Sequence, residues 1–340
     1  MTASLESSDP SAPVAGPLLV TGVTGFTGGR LCERLVAAGH RVRALVRDPG
    51  RAERFARLGV ELVVGDLRDP ASLARAVAGV DTVYHIAALF RPGNATRQEM
   101  FAVNRDGTRH LLEAARAAGV RRFVHCSTIG VHGDVRQPPA AETAPYAPGD
   151  DYQASKAAGE QVALEFMRQG MPVVVVRPGG IYGPGDLRFL KLIRPVARGR
   201  FVMVGSGEIL YQMVYIDDLV DGILRCGTTP DAVGNVYILT GEPAVTLNEL
   251  VATIAGVVGV APPRWRVPVA PLYLAAWLCE LVCRPVGVNP PLFRRRVDFF
   301  RKTRSFDITK AKRELGFVPQ TDLAAGLGRT VAWYREHGHL

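Results

Sequence analysis

The sequence predicts an α/β fold, a doubly wound parallel sheet with a smaller, partly interleaved C-terminal substrate cap. Three observations carry this reading. Short apolar runs alternate with helix-length segments from Leu18 to Arg177; a glycine-rich turn follows the first run and opens a helix; beyond Gly180 the elements shorten and Gly and Pro clusters punctuate them. Such alternation is what parallel strands joined by helical crossovers require, because each crossover must carry the chain back before the next strand begins.

Taken in order, LLV at 18–20 ends in the glycine turn and leads into the amphipathic segment LCERLVAAG. VRALV (42–46) and ELVV (61–64) are each closed by turn residues, and Asp69-Pro70 opens ASLARAVAG with a cap residue followed by proline. TVYHIAA (82–88), FVHCST (123–128) and VVVVR (173–177) bring the count to at least six strands before residue 180. The clusters YGPGD (182–186), GSG (205–207) and APP (261–263) then separate shorter pieces. The expected organisation is a disordered leader over 1–16 and a dinucleotide-binding domain over 17–180 to which segments around 213–240 return. The cap is expected over 181–212 and 241–340.

Composition is that of an ordinary globular protein, with 340 residues, 47% apolar and 21% charged. The first sixteen residues lack both a basic start and an apolar stretch, and no run of 18 uncharged apolar residues occurs, so neither a signal peptide nor a spanning helix is expected. A soluble, cytoplasmic protein is the expectation. Five cysteines are scattered without metal-ligand spacing, which predicts reduced thiols and no metal site. Of the net charge of +9, the stretch 294–313 supplies +7, so no broad basic face is available to nucleic acid. Only five of the 41 basic residues are Lys, which draws attention to Lys156.

The turn Thr21-Gly22-Val23-Thr24-Gly25-Phe26-Thr27-Gly28 has a strand before it and a helix after it. Gly22 suits a tight turn, Gly25 lets backbone approach a diphosphate, and Gly28 lets helix and strand pack closely, with the helix N-terminus facing the phosphate charge. The spacing is three and three, one residue longer in its first gap than G-x-G-x-x-G. After the second strand stands Arg47, with Arg51 and Arg54 beyond and Asp48 one place late. A guanidinium fork suits the extra phosphate of NADP; the alternative is a solvated Arg47 with Asp48 on the ribose of NAD. Gly65-Asp66-Leu67 closes the third strand, where Asp66 either meets the adenine or caps the next helix.

Tyr152-Gln153-Ala154-Ser155-Lys156 begins a helix introduced by Asp150-Asp151. Residues four apart share a helix face, so phenol and ammonium reach one point. A free phenol, with a pKa of about 10, is no base near neutrality. A neighbouring ammonium and a positive nicotinamide ring stabilise the phenolate and bring it into range. Ser127 and Thr128 end the fifth strand, where hydroxyls point into the ligand crevice of an open parallel sheet, and either suits the substrate oxygen.

With these residues in place, the chain resembles the extended short-chain dehydrogenase/reductase family, within the NAD-dependent epimerase/dehydratase superfamily, from Leu18 to about Arg335. TGVTGFTG, GDL, HIAA, N-RDGTRHLLEAA, HCSTIGVHG, Y-QAS-K, RPGGIYGPGD and VYIDDL fall in that family's order. The resemblance implies Thr128 on the substrate hydroxyl, Tyr152 as acid/base, and Lys156 on the nicotinamide ribose. It further implies Asn104 holding a water in a proton path, with an ordinary helix residue as the alternative. Ala87, Ala88, Pro178 and Ile181 match coenzyme contacts, and a homodimer through the helices around 99–118 and 151–169 is implied.

Fold does not fix chemistry. The Thr-Asp-Glu of sugar-nucleotide dehydratases is replaced here by Ser127-Thr128-Ile129, which argues against dehydration. The Asn and the diphosphate-gripping Arg of sugar-nucleotide epimerases correspond to Gly180 and Tyr211, leaving Arg194, Arg198 or Arg200 as substitutes. VRALVRDP looks like the NADP segment of dihydroflavonol-reductase relatives, and the apolar run 267–279 followed by Arg294-Arg295-Arg296 looks like bacterial 3β-hydroxysteroid-dehydrogenase-like proteins. An apolar helix beside a basic cluster lies on an anionic membrane through 267–304, lines the route of a greasy substrate, or packs into the cap. The leading expectation is an NADP(H)-linked oxidoreductase (NAD the alternative) acting on a secondary alcohol or ketone of a largely apolar small molecule. The rivals are a nucleotide-sugar 4-epimerase with tightly held NAD and, more remotely, a non-catalytic dinucleotide sensor.

Overall fold

A computed structural model describes residues 16–90, 95–283, 290–292 and 294–340, without the side chains of Arg295 and Arg296. The leader expected over 1–16 lies outside the described residues apart from Gly16.

Seven parallel strands form the central sheet: β1 (Leu18–Thr21), β2 (Val42–Val46), β3 (Glu61–Val64), β4 (Thr82–His85), β5 (Arg122–Cys126), β6 (Val173–Pro178) and β7 (Val236–Leu239). Their spatial order is β7-β6-β5-β4-β1-β2-β3, so the chain leaves β1 toward one edge and returns to its other side at β4. That reversal opens a crevice beyond the carboxyl ends of β1 and β4, the place where such sheets bind ligands. Every residue of β6 is buried, which accounts for its unbroken apolar run; β3, at the edge, leaves Glu61 and Val64 exposed. One face of the sheet packs Leu31, Leu35, Leu219 and Ile223 beneath Val20 and Val174, the other packs Leu73, Leu111, Leu112 and Phe166 beneath Leu19 and Val173.

Local signals place the helices. Gly25 is the N-cap of Phe26–Ala37, Asp69 caps Pro70–Val77 by accepting from Ala71 N at 3.1 Å, and Asp150 caps Asp151–Arg168 by accepting from Gln153 N at 2.8 Å. Beyond β6 the elements are short. Gly180–Tyr182 pairs with Met213–Tyr215, Leu210–Tyr211 with Val245–Thr246, and Met203–Val204 with Arg266–Val267. The helices Leu190–Ala197, Leu247–Val258 and Leu323–Glu336 complete this region, together with the helix Val269–Cys283. Among the described residues no helix is long and apolar enough to cross a membrane.

Candidate active site

A cleft of about 680 Å³ runs along the crevice and is lined by the glycine turn, Arg47, Asp66, Leu67, Ala87, Ala88, Thr128, Tyr152, Lys156, Pro178 and Ile181, while Asn104 does not line it although its neighbour Val103 does. At one end Gly22 has φ +81°, and a Cβ there would lie 2.8 Å from Ala87 N. A Cβ on Gly28 would lie 2.3 Å from the Gly22 carbonyl oxygen. Only glycine at both positions lets the loop after β1, the loop after β4 and the first helix meet so closely. Gly25 brings no side-chain cap and the first turn holds no acid, so the leading N–H groups of Phe26–Ala37 face the cleft with their partial positive charge intact. This cradle fits the diphosphate of a dinucleotide.

Further along, Arg47 is exposed at the end of β2, and Arg51 lines the cleft beside it. Asp48 is engaged in its own turn, accepting from Gly50 N at 2.9 Å. Asp66 and Leu67 close the wall. The Asp66 carboxylate accepts from Arg68 Nε at 2.9 Å and Nη2 at 2.8 Å, and this fork holds its pKa below the ordinary carboxylate range. The alternative in which Asp66 caps the next helix falls, because Asp69 does so. Ala87 and Ala88 follow β4, with Ala87 N donating to Thr21 Oγ1 at 3.1 Å, and Pro178 and Ile181 line the cleft from the end of β6.

At the centre, Lys156 is buried and donates from Nζ to the Cys126 carbonyl oxygen at 2.6 Å. Burial pushes its ammonium pKa down. Beneath it lie His85 and His125, paired across β4 and β5 with ring centroids 5.4 Å apart. Burial, then the Lys156 charge, pulls His85 to about 3 and His125 well below its usual value, so both are neutral. Tyr152, one turn before Lys156, meets the Phe90 ring edge-on at 4.9 Å between centroids.

Ser127 and Thr128 both line the cleft, and their hydroxyls differ in the partners they hold. Ser127 Oγ donates to Glu160 Oε2 at 2.5 Å, inside a buried network in which Arg177 Nη2 donates to Glu160 Oε1 at 2.5 Å and Tyr146 Oη donates to the same oxygen at 2.6 Å. Thr128 is half-buried at the cleft wall, and its Oγ1 accepts from Gly130 N at 3.0 Å, which leaves its own O–H to donate. Asn104 lies in a single π-helical turn, Ala102–Asp106, inside the long helical run. Its Oδ1 accepts from Leu89 N at 2.7 Å and its Nδ2 donates to Ser155 Oγ at 2.9 Å. The side chain thereby ties the loop after β4 to the helix carrying Tyr152 and Lys156.

Sequence reasoning missed the far wall. Arg188, held by Asp186 at 2.6 Å, stands 5.6 Å from the Phe26 ring centroid and 5.4 Å from that of Phe90, bridging the glycine turn and the tyrosine's neighbour. Phe189, Tyr211, Met213 and Phe299 also line the cleft, together with Gln212 and with Arg304, which stacks 5.1 Å from the Tyr211 ring centroid. The proposed substitutes for a diphosphate-gripping Arg are corrected here. Arg194 donates to the His339 carbonyl oxygen at 2.8 Å, and neither it nor Arg198 or Arg200 lines the cleft. The one available signal, an Arg after YGPGD, had no partner until the chain folded.

The crevice, the glycine cradle and the Tyr-Lys pair define a dinucleotide-dependent enzyme of the extended short-chain dehydrogenase/reductase class. Residues 18–239 match the NAD dependent epimerase/dehydratase family, and the chain belongs to that family. It is similar to sterol demethylase protein B of Methylococcus capsulatus, at 35% identity covering 95% of this chain and 99% of the relative. It is also similar to a 3-beta-hydroxysteroid dehydrogenase of Mycolicibacterium neoaurum, at 31% identity covering 94% and 92%. Among solved structures, that of gox2253 superposes with a TM-score of 0.82 at 33% identity, covering 96% of this chain and 99% of the other.

Proposed function

We propose that the protein is an NADP(H)-linked oxidoreductase that interconverts a secondary alcohol and a ketone on a largely apolar small molecule. The observation that carries the reading is that one cleft brings together the glycine turn, Thr128, Tyr152 and Lys156, and the apolar side chains of Phe189, Tyr211, Met213 and Phe299. When bound, the dinucleotide supplies or accepts the hydride at the carbinol carbon. Thr128 donates a hydrogen bond to the substrate oxygen. In the oxidative direction Tyr152 Oη takes the hydroxyl proton as the C–H electron pair leaves with the hydride, and in the reductive direction it returns that proton to the carbonyl oxygen. Lys156 lies one helical turn away and lowers the cost of the phenolate by its charge, while its bond to the Cys126 carbonyl fixes its position. Arg47 reads the extra phosphate, a role supported by its exposure at the cleft and by the commitment of Asp48 to its own turn. The relatives named for sterol and hydroxysteroid chemistry support an apolar substrate.

One observation favours a second reading, a nucleotide-sugar 4-epimerase: Arg304 brings a guanidinium to the Tyr211 wall, where a diphosphate would need one. The experiment that separates them is denaturation of the freshly purified protein with identification of any released dinucleotide, followed by NADPH and NADH titration of the emptied protein. The oxidoreductase predicts little retained dinucleotide and tighter binding of NADPH; stoichiometric, tightly held NAD would overturn it in favour of the epimerase.

A further inference from the structure

The helix Val269–Cys283 packs one apolar face against the cap and exposes a second. Leu274, Trp277, Leu278, Leu281 and Val282 are 43–68% exposed, and Trp265 just before it is 78% exposed. The helix's two buried residues are Ala276 and its one acid, Glu280, whose carboxylate accepts from Arg294 N at 2.7 Å and from its guanidinium at 3.1 Å and 3.2 Å. A helix with one face in water carries polar residues on that face, and this one carries apolar residues there. One face of the segment does pack into the cap, where Val269, Leu272, Tyr273 and Ala276 meet Val204, Val297 and Phe300, so the packed-cap alternative holds for that face while the other stays exposed.

The charge beside this apolar face is predominantly basic. Arg264 and Arg266 flank Trp265, Arg301 stacks 4.5 Å from the Tyr273 ring centroid on the same helix, and the chain from 294 to 302 carries five basic residues against one acid, Asp298, which pairs with Arg301 and Lys302. We propose that this face docks on an anionic lipid bilayer surface, with the helix lying in the interface plane, its leucines and tryptophans among the acyl chains and the arginines on the lipid phosphates. At 1.5 Å per residue the helix is about 22 Å long, short of the roughly 30 Å hydrocarbon core, so it lies on the membrane. The same unit is continuous with the cleft wall: Phe300 packs beside Ala276 and Val297, meets Phe299 edge-on at 5.0 Å, and Phe299 meets Tyr211 at 5.1 Å. The surface assignment is independent of which substrate the cleft takes.

The test is flotation of the full chain with phosphatidylglycerol/phosphatidylcholine vesicles and with pure phosphatidylcholine vesicles, with tryptophan emission recorded in parallel. Binding at least about tenfold stronger to the anionic vesicles, weakened by salt and accompanied by a blue shift, is expected. The double variant Trp277→Glu/Leu281→Glu, altered only at exposed positions, should lose that binding while keeping the parent's Tm and dinucleotide affinity. Equal binding to both vesicles, or binding that survives the double variant, would overturn the proposal. So would absence of binding by a dimer that the variant dissociates, which would assign the face to a second copy of the chain.

Discussion

Ser127 Oγ and Glu160 Oε2 are joined at 2.5 Å in the interior, one residue away from the Thr128 hydroxyl that faces the cleft. Adjacent hydroxyls at the end of one strand thus have opposite employments. Thr128→Val should lower kcat about a hundredfold with little change in Tm, since it removes a single donor to the substrate oxygen. Ser127→Ala should leave kcat near the parent and cost about 1–3 kcal/mol of stability, because it strips a partner from a buried carboxylate. Steady-state kinetics and thermal unfolding on both variants decide this, and a reversed pattern would reassign the hydroxyl.

Removal of the phenol tests the proton step. Tyr152→Phe is expected to reduce kcat by about 10²–10⁴-fold while dinucleotide affinity, read by fluorescence titration, stays close to the parent. Retained turnover would refute Tyr152 as the acid/base.

In the proposed reading Arg47 selects the coenzyme. Arg47→Asp should weaken NADPH and favour NADH, shifting the ratio of their affinities by at least about tenfold, because a carboxylate repels the extra phosphate and accepts from a ribose hydroxyl. An unchanged ratio would show Arg47 to be a solvated strand end.

Arg188 bridges Phe26 and Phe90 over the cleft from a position fixed by Asp186. Arg188→Leu should raise KM for the coenzyme several-fold with a smaller effect on kcat, since the residue closes the cleft without reaching the reacting atoms. A loss confined to kcat would contradict that placement.

The buried histidines set an acid limit. His85 is neutral in the folded chain down to about 3 but takes up a proton near 6.5 when unfolded. Between those values the unfolded state binds more protons, so stability is complete above about pH 6.5 and falls as pH drops toward 3. His125 acts in the same direction. Urea unfolding at pH 7 and pH 5 should show the loss, and His125→Leu should make it shallower; a parent equally stable at both values would disprove the linkage.

Much of the site was legible before folding. The glycine turn and the Tyr-x-x-x-Lys pair are short-range devices, since a positive φ at Gly22 and two residues one helical turn apart express themselves within a few residues. The six strands to residue 180 were equally plain, because apolar runs buried on both faces leave an unbroken signature. The Arg304 contact with Tyr211 was not legible, since the two residues lie far apart in the chain and no periodicity connects them.

The sequence by itself therefore determined the layered fold, the place of the dinucleotide cradle and the identity of the Tyr152-Lys156 pair, all through backbone preferences and spacing that act locally. Tertiary structure alone decided that the Ser127 hydroxyl is committed to Glu160 while that of Thr128 is not, that Asn104 ties Leu89 to Ser155, and that Glu280 is buried while Trp277 and Leu281 are not. Those outcomes depend on which elements the strand order brings together, and a side chain's employment is set by the neighbours that remove it from water.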